Sequence, residues 1–192
     1  MTGRFVYQLE EKDRAHILAK IYLNHAEPIF YCDTRKFSTI EVISDELKYF
    51  EKLGLEPLSE EFDDKYLMNK LNSARAIKAI LLDQSIVSGI GNIYADEVLF
   101  DAKILPSREA KSISLNETKL IVSVIKKILS LAIENMGTTL SDYRTPKQEK
   151  GQFQGFLKIY GRKKQKCVIC ENWIEIQTIA GRTSHFCSHC QK

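Results

Sequence analysis

Cys167-Val168-Ile169-Cys170 and, after sixteen intervening residues, Cys187-Ser188-His189-Cys190 decide how the C-terminal part of this chain folds. A Cys-x-x-Cys pair closes a tight knuckle that aims two sulfurs at one point, and two such pairs at this spacing are the ligand set of a structural zinc site. The stretch between them, Glu171 to Phe186, has the length of a β-hairpin that brings the knuckles together. A disulfide pairing would need an oxidising compartment, and the chain shows no secretory signal. A redox Cys-x-x-Cys would need no second copy. One structural Zn2+ held by Cys167, Cys170, Cys187 and Cys190 is therefore expected, with sulfur-ligated iron as the alternative.

Outward from the cysteines, the charge is uneven. Between Arg144 and Lys192 there are ten Lys or Arg against Glu149, Glu171 and Glu175, so the C-terminal quarter is the basic face. The net charge of +3 over the whole chain is too small by itself to prove a nucleic-acid partner. With 44% hydrophobic and 28% charged residues the composition is that of an ordinary globular protein. No apolar run reaches the ~18 residues of a membrane span, and 192 residues make one large domain or two small ones. Cys32 has no partner cysteine and is expected to be a buried small apolar residue; His25 and His189 are expected on the surface.

Residues 1–43 are β-forming. Arg4-Phe5-Val6-Tyr7, the run His16 to Tyr22 and Pro28-Ile29-Phe30-Tyr31-Cys32 are short β-rich runs separated by charged turns. So few strands make a poor independent core, so this piece looks like the tail of a larger sheet domain. From Ser44 the periodicity becomes helical. Helices are expected over Asp45 to Leu53, stopped by Gly54, then from Asp63-Asp64, over Arg75 to Leu82, from Ile93 to Phe100, and over Ser114 to Met136. In the last of these Leu120, Val124, Ile128 and Leu131 form the expected buried stripe, and Gly137 the stop. Thr138 to Phe153 is a polar loop, and Phe156-Leu157-Lys158-Ile159-Tyr160 predicts a strand leading into the cysteines.

Ser88-Gly89-Ile90-Gly91-Asn92 lies between two of these helices. It lacks the Gly-Lys-Ser/Thr of a nucleotide-phosphate loop and the third glycine of a dinucleotide fingerprint. Glycines let a backbone approach an anion closely, and the following helix offers free N–H groups and its positive end. The loop is either a clamp on a DNA phosphate, with Asn92 donating its amide, or a tight turn with Asn92 as N-cap; by itself it does not choose. A recognition helix in the major groove fits less well, because Ile93-Tyr94-Ala95-Asp96-Glu97 is apolar and acidic.

Together these stretches become specific. Ile77-Lys78, Leu81-Leu82-Asp83-Gln84, the run Gly89-Ile90-Gly91-Asn92-Ile93-Tyr94-Ala95-Asp96-Glu97-Val98-Leu99-Phe100 and Pro106 closely resemble the helix–two-turn–helix region of bacterial formamidopyrimidine-DNA glycosylase. Thr138-Thr139-Leu140-Ser141-Asp142-Tyr143, Phe153, Tyr160-Gly161-Arg162, the four cysteines, Gly181-Arg182-Thr183 and His185-Phe186-Cys187 match the same family, of which endonuclease VIII is a close relative. Asp33-Thr34-Arg35-Lys36-Phe37 is similar to the family's Asp-x-Arg-x-Phe loop.

The resemblance implies an α+β architecture in four parts. Residues 1–43 would be the C-terminal part of an N-terminal β-sandwich catalytic domain, 44–137 the helix–two-turn–helix domain, 138–155 a lesion-capping loop and linker, and 156–192 a zinc-finger β-hairpin. It implies base-excision repair: release of oxidised purines such as 8-oxoguanine and formamidopyrimidines, then abasic-strand cleavage by β- and δ-elimination. The expected partner is damaged double-stranded DNA, bound by a cytoplasmic, nucleoid-associated monomer. Arg35 resembles the residue that reads the cytosine opposite the lesion, Phe37 the wedge that unstacks the step, and Met1 the methionine that fills the space of the flipped base. His16, Lys78, Gly91 and Asn92 resemble phosphate contacts, with Arg75, Tyr160 and Arg162 as further DNA-binding candidates. Position 74, where the family often carries a second basic residue, is Ala74 here. Arg182 resembles the phosphate-gripping arginine credited with proton donation in δ-elimination. The family's nucleophile is an N-terminal proline amine, followed by a glutamate acid and assisted by a lysine. None of the three has a counterpart here, so the chain is expected to be a truncated member, inactive as written. The alternatives are a non-catalytic zinc-dependent DNA-binding module and, against Arg35-Lys36-Phe37 and Gly91-Asn92, a zinc-ribbon RNA or ribosomal protein.

Overall fold

The computed structural model describes residues 2–24, 26–45, 49–140 and 150–192. Its backbone gathers into two compact units, Met1–Ser44 with Ala132–Phe156, and Asp45–Leu131 with Leu157–Lys192.

In the first unit the three β-rich runs pair as antiparallel strands, β1 (Arg4–Val6), β2 (Ile17–Ile21) and β3 (Ile29–Cys32), in the order β1-β3-β2. The register sets Phe5 opposite Tyr31 and Ile21 opposite Ile29, and slips at Ile17/Ala19. Val6 and Cys32 are buried, which places Cys32 among the small apolar residues expected inside. A 3-10 turn, Glu11–His16, joins β1 to β2 and lays the buried Asp13 against Arg4. The other half of the unit is a returning chain. Gly137 sits at φ +76, a conformation that costs an L side chain but not glycine, and its N–H closes on the Ala132 carbonyl at 2.8 Å. This is the expected stop. Gln152 and Phe153 then donate to the carbonyls of Asn135 and Gly137 at 2.8 and 3.0 Å. Half of the expected lesion-capping loop and linker, residues 141–149, lies outside the described residues, as do Met1 and His25.

In the second unit, α1 (Asp64–Lys70) starts at Asp63, whose carboxylate accepts from the Tyr66 N–H at 2.7 Å, as an N-cap should. Then follow α2 (Ile77–Leu81), α3 (Asn92–Asp101) and α4 (Leu115–Glu134). Of the helix expected over Asp45 to Leu53, residues 46–48 fall outside the described set. Phe62, Leu67, Ile77, Leu81, Val98, Leu99, Ile121 and Ile125 form a closed apolar interior. The buried stripe of α4 differs from the expected one. Ile121, Val124, Ile125 and Ile128 point inward, whereas Leu120 is half-exposed. Two adjacent rows of this helix are apolar, so periodicity permits either, and packing selects. The strand expected over 156–160 is absent. The amides of Lys158, Ile159 and Tyr160 donate to a side-chain carboxylate instead of to a neighbouring strand. The C-terminal hairpin is present as β4 (Glu175–Ile179) and β5 (Arg182–Phe186), joined at Ala180-Gly181, both at positive φ as a tight hairpin turn requires. No helix among the described residues is long and apolar enough to cross a membrane.

The N-terminus of α4 carries a reciprocal cap. Ser114 N–H donates to Glu117 Oε2 at 2.8 Å while Glu117 N–H donates to Ser114 Oγ at 3.3 Å. Arg108 closes on the same carboxylate with two bonds, 2.6 and 2.9 Å. The Arg108 guanidinium thereby holds the Glu117 carboxyl down at about 2, against an ordinary value of 4.5. In that interval the unfolded chain binds the proton and the folded one does not, so the stabilisation is complete above about pH 4.5 and fades as pH falls towards 2. Glu117→Gln is expected to lower the urea midpoint at neutral pH and to converge with the parent protein as the pH approaches 2. A constant gap across that range would refute the assignment.

Candidate nucleic-acid interface

The four thiols gather at one point. Cys167 and Cys190 sulfurs lie 3.9 Å apart, Cys170 and Cys187 sulfurs 3.4 Å apart, and all four fall within 4.8 Å of one another. A tetrahedron with metal–sulfur bonds of ~2.3 Å has edges of ~3.8 Å, so the cage fits a zinc-sized ion bound by thiolates. The knuckles are closed by backbone bonds from Glu171 to Cys167 (3.1 Å) and from Cys190 and Gln191 to Cys187 (3.1 and 3.0 Å). Ile169 N–H and the Asn172 amide each donate to a sulfur at 3.4 Å, which supports the thiolate form. Phe100 of α3, Ile159 and Ile174 pack around the cysteines, so the module shares its core with the helical part of its unit.

Two adjacent acids of α3 fasten this module. Glu97 accepts three backbone N–H bonds, from Lys158 (2.9 Å), Ile159 (3.0 Å) and Tyr160 (2.8 Å). Burial pushes its carboxyl above the usual range, and the three amides oppose that rise. Asp96 lies 2.6 Å from Lys78 Nζ and accepts from the His185 backbone N–H at 2.9 Å, with His185 Nδ1 at 3.1 Å. The Tyr160 ring rests on the His185 ring, centroids 4.9 Å apart. Lys78 is 0% exposed. Burial pushes its ammonium pKa down, and the Asp96 carboxylate pulls the other way.

The two-glycine loop is held by Gln84. Its amide donates to the Ile90 carbonyl at 2.9 Å and its oxygen accepts from Gly89 N–H at 2.8 Å, while Gly89 adopts φ +81. Gly91, not Asn92, is the N-cap, so the N-cap reading of Asn92 fails and its side chain is free for other work. Asn92 Nδ2 donates to the Thr183 carbonyl at 2.9 Å; Lys78 Nζ reaches the same carbonyl at 3.3 Å and Ser184 Oγ at 2.7 Å. Two residues expected at a phosphate thus converge on the carbonyl of Thr183, the residue that follows Arg182. Arg182 itself is exposed at the start of β5, beside the hairpin turn. Arg75 and Arg162 are tied more locally, Arg75 to Asp83 (2.9 Å) and Arg162 to Gln165 and the carbonyls of Lys158 and Lys166 (3.1 to 3.2 Å).

In the first unit, Asp33 builds a turn. Its carboxylate accepts from the N–H groups of Arg35 (3.0 Å), Phe37 and Ser38 (both 3.1 Å), from Ser38 Oγ (2.7 Å) and from the Thr2 hydroxyl. The Thr2 and Ser38 hydroxyls, followed by the amides, hold its pKa far below the carboxylate range. The turn exposes what it carries. Phe37 is 78% exposed, so the alternative of a core strand residue does not hold, and the Arg35 guanidinium lies 5.2 Å from its ring centroid. His16 ends the 3-10 turn; its carbonyl accepts from Asp33 N–H at 2.9 Å, and its buried Nδ1 has no partner among the described residues.

Comparison with known proteins settles the kinship. Residues 53–144 match the formamidopyrimidine-DNA glycosylase H2TH domain. The chain is 42% identical to the formamidopyrimidine-DNA glycosylase of Syntrophomonas wolfei, over its whole length and 73% of that relative. The chain belongs to the formamidopyrimidine-DNA glycosylase family. The crystal structure of the Thermus thermophilus family member superposes with a TM-score of 0.86 at 37% identity, over 100% of this chain and 73% of that one. A Lactococcus lactis mutant glycosylase bound to Fapy-dG-containing DNA superposes at 0.90 with 36% identity, over 100% and 72%.

Sequence reasoning missed Asp96, Glu97, Gln84 and Ser184 in this glycosylase-family chain. One signal was available. Two acids inside an otherwise apolar helix must be buried with partners or must break the packing. Lys78→Met leaves Asp96 buried without its counter-charge and is expected to cost about 3–5 kcal/mol of unfolding free energy. A loss below about 1 kcal/mol in a denaturant titration would mean that water already reaches the pair.

Proposed function

We propose that this chain works in base-excision repair, gripping duplex DNA kinked at an oxidised purine such as 8-oxoguanine or a formamidopyrimidine. In this reading Arg35 reads the cytosine opposite the lesion, Phe37 wedges the unstacked step and Met1 fills the vacated space. Arg182, the Gly91-Asn92 loop and His16 hold the backbone, Lys78 acts from inside by fixing the Thr183 carbonyl, and Tyr160, Arg162 and Arg75 support that surface. One structural Zn2+ on Cys167, Cys170, Cys187 and Cys190 fixes the hairpin that carries Arg182. The observation that carries the proposal is the pair of hydrogen bonds that Asn92 and Lys78 donate to the Thr183 carbonyl. It fixes the backbone beside an exposed arginine next to a glycine loop that opens a helix, where an anion is favoured.

Excision and strand cleavage belong to the same reading at the level of the family, with Arg182 as proton donor for δ-elimination. That chemistry uses a proline amine, and the first proline of these 192 residues is Pro28. We infer that these 192 residues by themselves hold DNA without cutting it, because the proline amine that chemistry uses is not among them. The runner-up, a naturally shortened relative that serves as a non-catalytic zinc-dependent DNA-binding module, makes the same prediction for this chain and is favoured by no separate observation.

Two measurements test the reading. Binding to an 8-oxoguanine:cytosine duplex as a function of salt should show a slope smaller by ~1 for Arg182→Ala than for the parent, with weaker binding to every duplex. An unchanged slope would remove Arg182 from the phosphate. Borohydride added to the 192-residue chain on the same duplex should trap nothing. A covalent adduct would overturn the inactivity.

A further inference from the structure

The zinc hairpin has two ends, and Arg182, its proposed phosphate contact, uses only one. Arg182 lies at the turn end, where Ile179 pairs with Arg182. The knuckle end begins at the Glu175–Phe186 pair, about 13 Å away at ~3.3 Å per residue, and Trp173 lies two residues beyond it. Here the surface changes character. Trp173 is 63% exposed, Ile169 59% and Val168 51%. Segments 165–167 and 172–174 run side by side, with Cys167 N–H on the Asn172 carbonyl (2.8 Å), Ile174 N–H on the Gln165 carbonyl (3.0 Å) and Lys166 bridged to Trp173. The apolar knuckle tip is therefore continuous in backbone with the tryptophan and with a basic run, Lys163, Lys164 and Lys166. All three lysines are exposed, and none has an acidic partner among the described residues. Two acids also lie here, Glu171 and Glu175, and the Glu175 carboxylate already accepts from the Ser188 hydroxyl.

Zinc binding needs the cysteines but neither Val168, Ile169 nor Trp173, which sit outside the small core around the sulfurs. Large apolar side chains grouped on a rigid, metal-fixed tip are what a partner buries, and tryptophan is the residue type most enriched at such anchors. We propose that the knuckle end docks a peptide segment of a partner protein that carries acidic residues beside an aliphatic or aromatic anchor. Three unpaired ammoniums complement the acids; Trp173, Ile169 and Val168 cover the anchor. Duplex DNA would satisfy the lysines only, because phosphates offer nothing to cover the aliphatic tips. The surface would thus recruit a protein while the turn end holds DNA.

Trp173 is the single tryptophan of the chain, so its emission reports this surface alone. The zinc-loaded 192-residue chain is titrated with a short peptide of glutamates interleaved with leucine and phenylalanine, with its glutamine counterpart, and with an undamaged duplex. A saturable blue shift with the acidic peptide, weakened by salt and absent with the glutamine version, is expected. Lys163→Glu with Lys166→Glu, and separately Ile169→Ser, should weaken that binding roughly tenfold while the chain keeps one zinc and its unfolding midpoint. No shift with the acidic peptide, or unchanged affinity in variants that keep their zinc, overturns the proposal. A duplex that gives the same shift and displaces the peptide also overturns it, by making this end part of the nucleic-acid surface. Unchanged DNA binding and salt slope in Arg182→Ala, with the peptide shift intact, would strike the proposed function and leave this surface standing.

Discussion

A single buried carboxylate, Asp96, sets the arrangement of the second unit. A lysine with no exposed surface requires a counter-charge, and Asp96 supplies it at 2.6 Å. The same group fixes the His185 backbone and thereby the inner face of β5. Glu97, next along the helix, takes three amides from the chain that enters the knuckles. Helix α3 thus buries two acids that project about 100° apart, and the zinc module attaches to both of those neighbouring faces. Either acid alone would locate one segment; two in succession locate both the entry and the return of the zinc module.

Much of this was legible in the sequence, and the limits were physical. The cysteine spacing stated its own geometry, because tetrahedral coordination tolerates little else. Strand runs were recognisable from β-branched and aromatic clustering, and Asp63 and Gly137 marked helix ends through backbone chemistry that is local in sequence. The errors arose where a tertiary partner overrode a local preference. Phe156 to Tyr160 has strand composition, yet its amides are claimed by a carboxylate some sixty positions away. In α4 two neighbouring apolar rows were equally admissible until packing chose one.

The candidate site divides along the same line. Arg35, Phe37 and Arg182 stand exposed, as residues expected to meet a ligand should. Lys78 does not: its charge is spent inside the protein, and it bears on the surface only through the Thr183 peptide. Asn92 plays both parts, first residue of its helix and clasp on that peptide. Resemblance can transfer a residue's importance without its mode of action, because importance follows position whereas mode depends on which atoms are already engaged. The Asp33 turn makes the complementary case. A carboxylate saturated by three amides and two hydroxyls has no capacity left for a ligand, and its whole effect is to hold its neighbours outward.

The peptide plane at Thr183 accepts from a rigid amide on one helix and from an ammonium locked to another. With both of those donors anchored, the Thr183–Ser184 plane has little freedom to rotate, and the strand that carries Arg182 one residue earlier, paired with Ile179, is in place before any ligand arrives. What remains to be ordered on capture of an anion is the arginine's own set of rotamers, a cost of about 1.5–2 kcal/mol, and no loop closure.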